Sequence, residues 1–160
     1  MKVLDHAAAV EVLAREDHGR GYGRLGCFSP SKDEVYVVPV SYRFEGDSAY
    51  FACLPGQTIE YLRAHPTGVC LEVDDIDDES DWVSVIATGH FEELFGREYQ
   101  AERQLASSRA LDGPLRDRFK ERPSQARSDL ILCALRIERI SGRRDQWDWD
   151  VVMSSPEVES

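Results

Sequence analysis

The chain has 160 residues, of which 42% are hydrophobic and 31% charged, with a formal net charge of −11. That length predicts one domain and allows about two-thirds of the unfolded surface to be buried, so a core can form without disulfides or metal. The acidic balance argues against general nucleic-acid binding and against docking on anionic membranes, since both partners carry the same sign of charge.

The N-terminal stretch, residues 1–17, places charges where a signal peptide needs an unbroken apolar region. No window approaches the roughly 18 apolar residues of a membrane-spanning helix. The four cysteines, Cys27, Cys53, Cys70 and Cys133, form no CxxC pair and lie in or beside apolar runs. We read them as buried free thiols of a cytoplasmic protein, with a disulfide or metal framework as the alternative.

Residues 5–16 predict a helix, with Asp5 as its cap and Ala8, Ala9, Val12 and Leu13 on one face. The glycines of residues 18–23 end it. Arg24–Phe28 reads as a short strand, and residues 29–34 as the turn that leads back antiparallel. Tyr36–Phe44 is rich in β-branched and aromatic residues and predicts a strand. Pro39 removes a ladder donor there, which places it at an edge, a bulge or a non-bonded site. Glu45-Gly46-Asp47 is a hairpin turn, and Ser48–Cys53 is the return strand. Leu54–Thr58 reads as a loop. A short amphipathic helix follows with Ile59, Leu62 and Arg63, closed by His65-Pro66.

Gly68–Val73 predicts a further strand. Residues 74–81 carry Asp74, Asp75, Asp77, Asp78, Glu79 and Asp81, a density of like charge that favours an exposed loop. A divalent-metal site is the alternative, but the spacing lacks the central Gly and terminal Glu of an EF-hand. Trp82–Glu93 is a long strand with Gly89 as the place for a bend or bulge. Arg97 to about Ala110 is polar with helical propensity, and Asp112-Gly113-Pro114 breaks it. Leu115–Lys120 has room for one or two helical turns. Leu130–Ile140 closes the core as a strand. Residues 1–145 thus make one barrel domain, and residues 146–160 a polar tail. About six antiparallel strands with few, short helices predict a mainly β (α+β) fold, a closed or partly closed barrel.

Several chemistries are missing from the sequence. There is no GxSxG elbow, no Walker loop and no GxGxxG stretch. His6, His18, His65 and His90 lack the HExxH spacing. His65 reads as a helix-end residue, and His90 as either a partly exposed barrel position or a ligand contact. The remaining constellation joins Val38–Ser41 to Pro55–Thr58. A strand edge interrupted by Pro39 leaves backbone groups free to bond a planar heterocycle. Gly56 lets the chain approach a phosphate, and the following helix start offers free N–H groups. Read from spacing alone, a ligand-free hairpin and capped helix explains the same residues.

The ordered set of residues 23–28, 36–51, 56–66, 69–74 and 82–94, with the late 137–143, resembles the pyridoxamine 5′-phosphate oxidase-like family of FMN-binding split barrels. Within it the likeness is strongest to the nitroimidazole-resistance type. The resemblance implies a six-stranded antiparallel split β-barrel flanked by short helices, and a homodimer with two FMN sites at the subunit interface. It places Val38, Pro39, Val40 and Ser41 along the isoalloxazine ring, with Phe51, Ala52 and Cys53 as a second strand. It places Gly56, Gln57 and Thr58 at the phosphate, and Trp82, Val83 and Ser84 as the wall supplied by the other subunit. Many members carry Arg or Lys in the phosphate loop where this chain has Gln57 and Thr58, and Arg24 and Arg63 are the candidate substitutes. The basic side chains that grip pyridoxal phosphate in the vitamin-making oxidase are not apparent, which argues against vitamin B6 as substrate. The implied activity is flavin-dependent oxidoreduction of a small acceptor, with no catalytic side chain nominated. The alternative is a flavin- or haem-binding protein without turnover, and a third reading is an interaction domain with an empty pocket. Trp147 and Trp149 clamp back onto the barrel or form a lid over the flavin.

Overall fold

The computed structural model describes residues 1–15, 21–77, 81–109 and 129–146. In chain order these form β1 (Lys2–Val3), α1 (His6–Ala14), β2 (Gly21–Ser29), β3 (Glu34–Glu45), β4 (Ser48–Cys53), α2 (Gln57–Ala64), β5 (Val69–Ile76), β6 (Asp81–Glu93), α3 (Gly96–Arg109) and β7 (Ile131–Gln146). The strands run in the order β1-β7-β4-β3-β2-β5-β6, and β6 pairs back onto β7. Six antiparallel strands therefore close a ring, with the two-residue β1 added at its margin. This is the expected split barrel with flanking helices.

Alternation fills the barrel. On β6, Val83, Val85, Ala87 and Phe91 are buried while Ile86 is exposed, the period of two that sends successive side chains to opposite faces. Leu25, Leu71, Val69 and Leu135 meet them from β2, β5 and β7, and all four are fully buried. α1 closes one side with Ala9, Val12 and Leu13. Its start is capped as expected, with Asp5 accepting from the Ala8 N–H at 2.8 Å. Tyr42 ties it to the sheet by donating its hydroxyl to the Leu13 carbonyl at 2.7 Å. Gly21, opposite Tyr42 in the register, makes room for that ring, since a Cβ there would lie 2.5 Å from it.

Closure depends on β6 and β7. They pair from Asp81/Gln146 to Glu93/Cys133, and the register shifts between Thr88 and Gly89. Gly89 is the predicted bulge, and its reason is steric. A Cβ there would sit 1.8 Å from the Arg136 carbonyl oxygen, so only glycine admits that approach.

Three strand boundaries differ from expectation by three residues or more. β2 starts at Gly21 rather than Arg24, because Gly21, Tyr22 and Gly23 pair with Tyr42, Ser41 and Val40. Asp74, Asp75 and Ile76 continue β5 against Ser84, Val83 and Trp82 instead of looping out; pairing and an arginine partner offset the charge repulsion that favoured a loop. β7 continues to Gln146, well beyond Ile140, because β6 pairs with it throughout. Leu115–Lys120, Trp147 and Trp149 lie outside the described residues. All four cysteines are free; Cys27, Cys53 and Cys133 are buried, and Cys70 is partly so. Among the described residues no helix is long and apolar enough to cross a membrane.

Candidate flavin site at the open edge of the barrel

β3 has two unlike halves. Its end, Tyr42–Glu45, pairs with Phe51–Ser48 of β4. Its beginning, Glu34–Ser41, pairs only with Ser29–Tyr22 of β2. β4 continues from Phe51 to Cys53 on β7, against Cys133–Ile131, and so leaves β3 behind. The barrel splits there. One side of Glu34–Ser41 carries backbone N–H and C=O groups with no strand partner among the described residues, and Pro39 lies within that stretch, as its missing donor requires.

α2 stands at this opening. It begins at Gln57, two residues earlier than expected, so Gln57 and Thr58 belong to its first turn rather than to a loop. Its N-cap is Gly56, which makes no side-chain cap bond. The first-turn N–H groups therefore have no side-chain acceptor from the cap, and they carry the positive end of the helix dipole. Ile59, Tyr61 and Leu62 are buried and anchor the helix. Tyr61 reaches the start of β3: its ring meets Tyr36 edge-on at 5.7 Å, and its hydroxyl donates to Glu34 at 3.2 Å. The same hydroxyl accepts from the Gln57 amide at 2.9 Å.

β4 parts from β3 beyond Tyr42/Phe51, so Val38–Ser41 and Phe51–Cys53 border the split, and α2, which follows Gly56, reaches the start of β3 through Tyr61. Their side chains take different roles. Val38 and Val40 pack against the core, and Phe51 and Cys53 are buried within it. Pro39 and Ala52 are exposed, and Ser41 is partly so. Of these segments the backbone, Pro39, Ser41, Ala52 and the α2 start are open to a ligand. Trp82–Ser84 are not part of this group. They lie on β6, separated from β3 by β2 and β5, and Val83 points into the core, leaving Trp82 and Ser84 partly exposed.

A polar track crosses the outer face between the two regions. Arg24, opposite Pro39, donates to Glu72 and Asp74, each at 2.8 Å. Glu72 also accepts from the Ser84 hydroxyl at 2.9 Å. Bonds to Asp74 and then Glu72 raise the Arg24 pKa further. Arg63 is likewise occupied, with Glu93; that bond holds the Glu93 carboxyl below its ordinary range. Both arginines suggested by the sequence as phosphate partners are thus already paired with carboxylates.

Sequence reasoning missed a second charged assembly. Tyr50 lies between two guanidinium groups, Arg43 at 4.7 Å and Arg136 at 5.8 Å from its ring centre. Glu102 and Glu45 bond Arg43. Glu98 takes Arg136 at 2.9 Å through both oxygens, and Glu92 binds the same side chain at 2.8 Å. Glu98 and Glu102 are one helical turn apart on α3, so that spacing was the available signal. His90 is a partly exposed barrel residue between Glu138 at 2.9 Å and Glu92 at 3.3 Å. The Glu138 contact, assisted by Glu92, raises its pKa against the opposing effect of burial. Among the described residues no His, Cys, Asp and Glu grouping could hold a metal ion.

The donor set suits a flavin: an unpaired strand edge for the polar rim of a ring system, and a glycine-led helix start for a phosphate. Comparisons with known proteins agree on the scaffold. A protein-family model described as pyridoxamine 5′-phosphate oxidase matches residues 5–144. The chain is 32% identical over 90 residues to an uncharacterized protein of Rhizobium meliloti; the match covers 53% of this chain and 58% of that relative. A FAD-binding protein from Mesorhizobium loti superposes with a TM-score of 0.73 at 27% identity, covering 91% of this chain and 98% of its own. Two more distant structures share the fold, each at 18% identity. One is a candidate 5-nitroimidazole antibiotic resistance protein from Bacteroides thetaiotaomicron, with a TM-score of 0.59 over 89% of this chain and 87% of that one. The other is a heme binding protein from Mycobacterium smegmatis, with a TM-score of 0.62 over 89% and 58%. With the family model spanning both the ring of strands and the α2 opening, the chain belongs to the pyridoxamine 5′-phosphate oxidase family.

Proposed function

We propose that the protein is an FMN-dependent oxidoreductase of this family, acting on a small acceptor and working as a cytoplasmic homodimer. The observation that carries this reading is the unpaired edge of Glu34–Ser41 together with the glycine-capped α2, whose Tyr61 reaches Glu34 and Tyr36 on that strand. In the proposed complex the backbone of Val38–Ser41 orients the ring, and the N–H groups of Gly56–Thr58 hold the phosphate. Pro39 and Ser41 shape the near wall. When bound, the flavin supplies the two-electron redox chemistry, and no side-chain acid or base is required.

The second wall is proposed to come from a partner's Trp82 and Ser84, because these residues lie two strands away from the gap in their own chain. An apolar outer face supports such pairing: Tyr22 on β2, Val35 and Val37 on β3, and Ile86 on β6 are between 44% and 71% exposed. Light scattering should report a dimer, whereas a species of 18.1 kDa alone would refute the shared site.

Absorbance of the purified protein tests the cofactor, and titration with FMN tests it further if the protein is colourless. NADH or NADPH oxidation with added FMN separates an oxidoreductase from a flavin-holding protein. Both ring nitrogens of His90 are taken by carboxylates, which does not favour it as a haem ligand. A protein that binds no FMN would remove the proposal.

A further inference from the structure

We propose that Lys32, on the turn between β2 and β3, is the cation that faces the flavin phosphate, replacing the basic residue absent from Gly56–Thr58. This inference rests on the flavin reading and assigns a residue to the same site. Its basis is a short chain of contacts. The Lys32 ammonium lies 5.1 Å from the centre of the Tyr61 ring. The Tyr61 hydroxyl receives the Gln57 amide at 2.9 Å. Lys32, over the ring, and Gln57, at the hydroxyl, therefore both contact one phenol, although 25 positions separate them in the sequence.

Elimination supports the same residue. Arg24 is engaged by Glu72 and Asp74, and Arg63 by Glu93. Lys32 forms no ion pair with a carboxylate among the described residues; its partner is a neutral phenol. It is exposed, and its four-carbon stem can swing the ammonium toward a ligand at little cost. It is also needed there. Glu60 lies in the first turn of α2, and Glu34 accepts from Tyr61 at 3.2 Å. A phosphate dianion at Gly56–Thr58 would meet these two carboxylates without a compensating cation. Tyr61, and after it Glu34 and Glu60, raise the Lys32 pKa.

The test compares FMN, FAD and riboflavin binding by flavin fluorescence in wild type, Lys32→Gln, Lys32→Arg and the double variant Lys32→Gln/Thr58→Lys. Loss of one charge-assisted contact predicts FMN binding weaker by about tenfold in Lys32→Gln. Riboflavin, which lacks the phosphate, should bind all variants alike. Lys32→Arg should stay close to wild type, and Thr58→Lys should restore FMN binding in the Lys32→Gln background. FAD carries the same 5′-phosphate within a pyrophosphate, so its binding should also weaken in Lys32→Gln. FMN affinity unchanged in Lys32→Gln, or equal losses for FMN and riboflavin, would overturn the assignment while leaving the flavin site standing. A wild type that binds none of the three would overturn the flavin reading itself, and the Lys32 assignment with it.

Discussion

The two seams of the barrel are built to opposite specifications. At β6–β7 the ladder runs the length of both strands, and Gly89 lets the backbones close past a bulge. At β3–β4 the ladder stops at Tyr42/Phe51, where β4 goes on with β7 instead. The first seam spends its backbone groups on pairing, as buried groups must. The second leaves its groups for something else. A strand edge held open in this way invites aggregation unless it is covered, so in the proposed complex the flavin and the second subunit would add stability as well.

Substitutions should separate the seams, beginning with the most disruptive. Gly89→Val places side-chain atoms against the Arg136 carbonyl. It should cost about 3 kcal/mol in urea unfolding and reduce the folded yield. A loss under half that would mean that the β6–β7 bulge can relax. Leu135→Ala, at a fully buried β7 position, should cost about 3 kcal/mol through the cavity it leaves, with its effect on flavin binding only as large as the loss of folded protein. By contrast Val37→Thr, on the exposed face of β3, should leave chemical stability within about 0.5 kcal/mol but shift a dimer toward monomer in light scattering. Thr58→Ala at the α2 start should weaken FMN binding a few-fold and leave urea unfolding of the flavin-free protein little changed.

The charges around α3 provide a smaller contrast. Glu98→Gln should lower stability by about 1 kcal/mol or less, since the Arg136 pair is partly exposed, and the loss should shrink in high salt. For His90 the folded pKa is raised, so its contribution is complete below the unfolded value near 6.5 and disappears as pH rises through the higher folded one. Glu92 behaves in the opposite sense. Arg136 lowers its pKa, with His90 assisting, so that contribution is present above the ordinary carboxylate value and is lost as pH falls through the depressed one. His90→Gln should flatten the first slope and leave most of the second, as seen in melting temperatures across pH.

Much of the closed part was legible because it depends on period and punctuation. Val83, Val85 and Ala87 alternate, Gly89 interrupts them, and Asp5 precedes an apolar-faced helix; each signal is local. The open part was only half legible. Pro39 marked an edge, but nothing local says that β4 abandons β3 at Phe51 and follows β7. Asp74 and Asp75 read as loop because their repulsion is visible in sequence, whereas Arg24, which binds Asp74, lies 50 residues away. Lys32 was overlooked for the same reason: its neighbour Tyr61 becomes a neighbour only once α2 packs against the start of β3.

Hydrogen exchange on the backbone, measured with and without FMN, tests the central claim most directly. Amides in Val38–Ser41 and Gly56–Thr58, Pro39 excepted, should exchange more slowly when FMN is added, while the β6–β7 ladder around Val85–Phe91 keeps its protection unchanged. FMN that binds without slowing exchange at either segment, or that protects only some other surface, would contradict the placement of the flavin at the open edge.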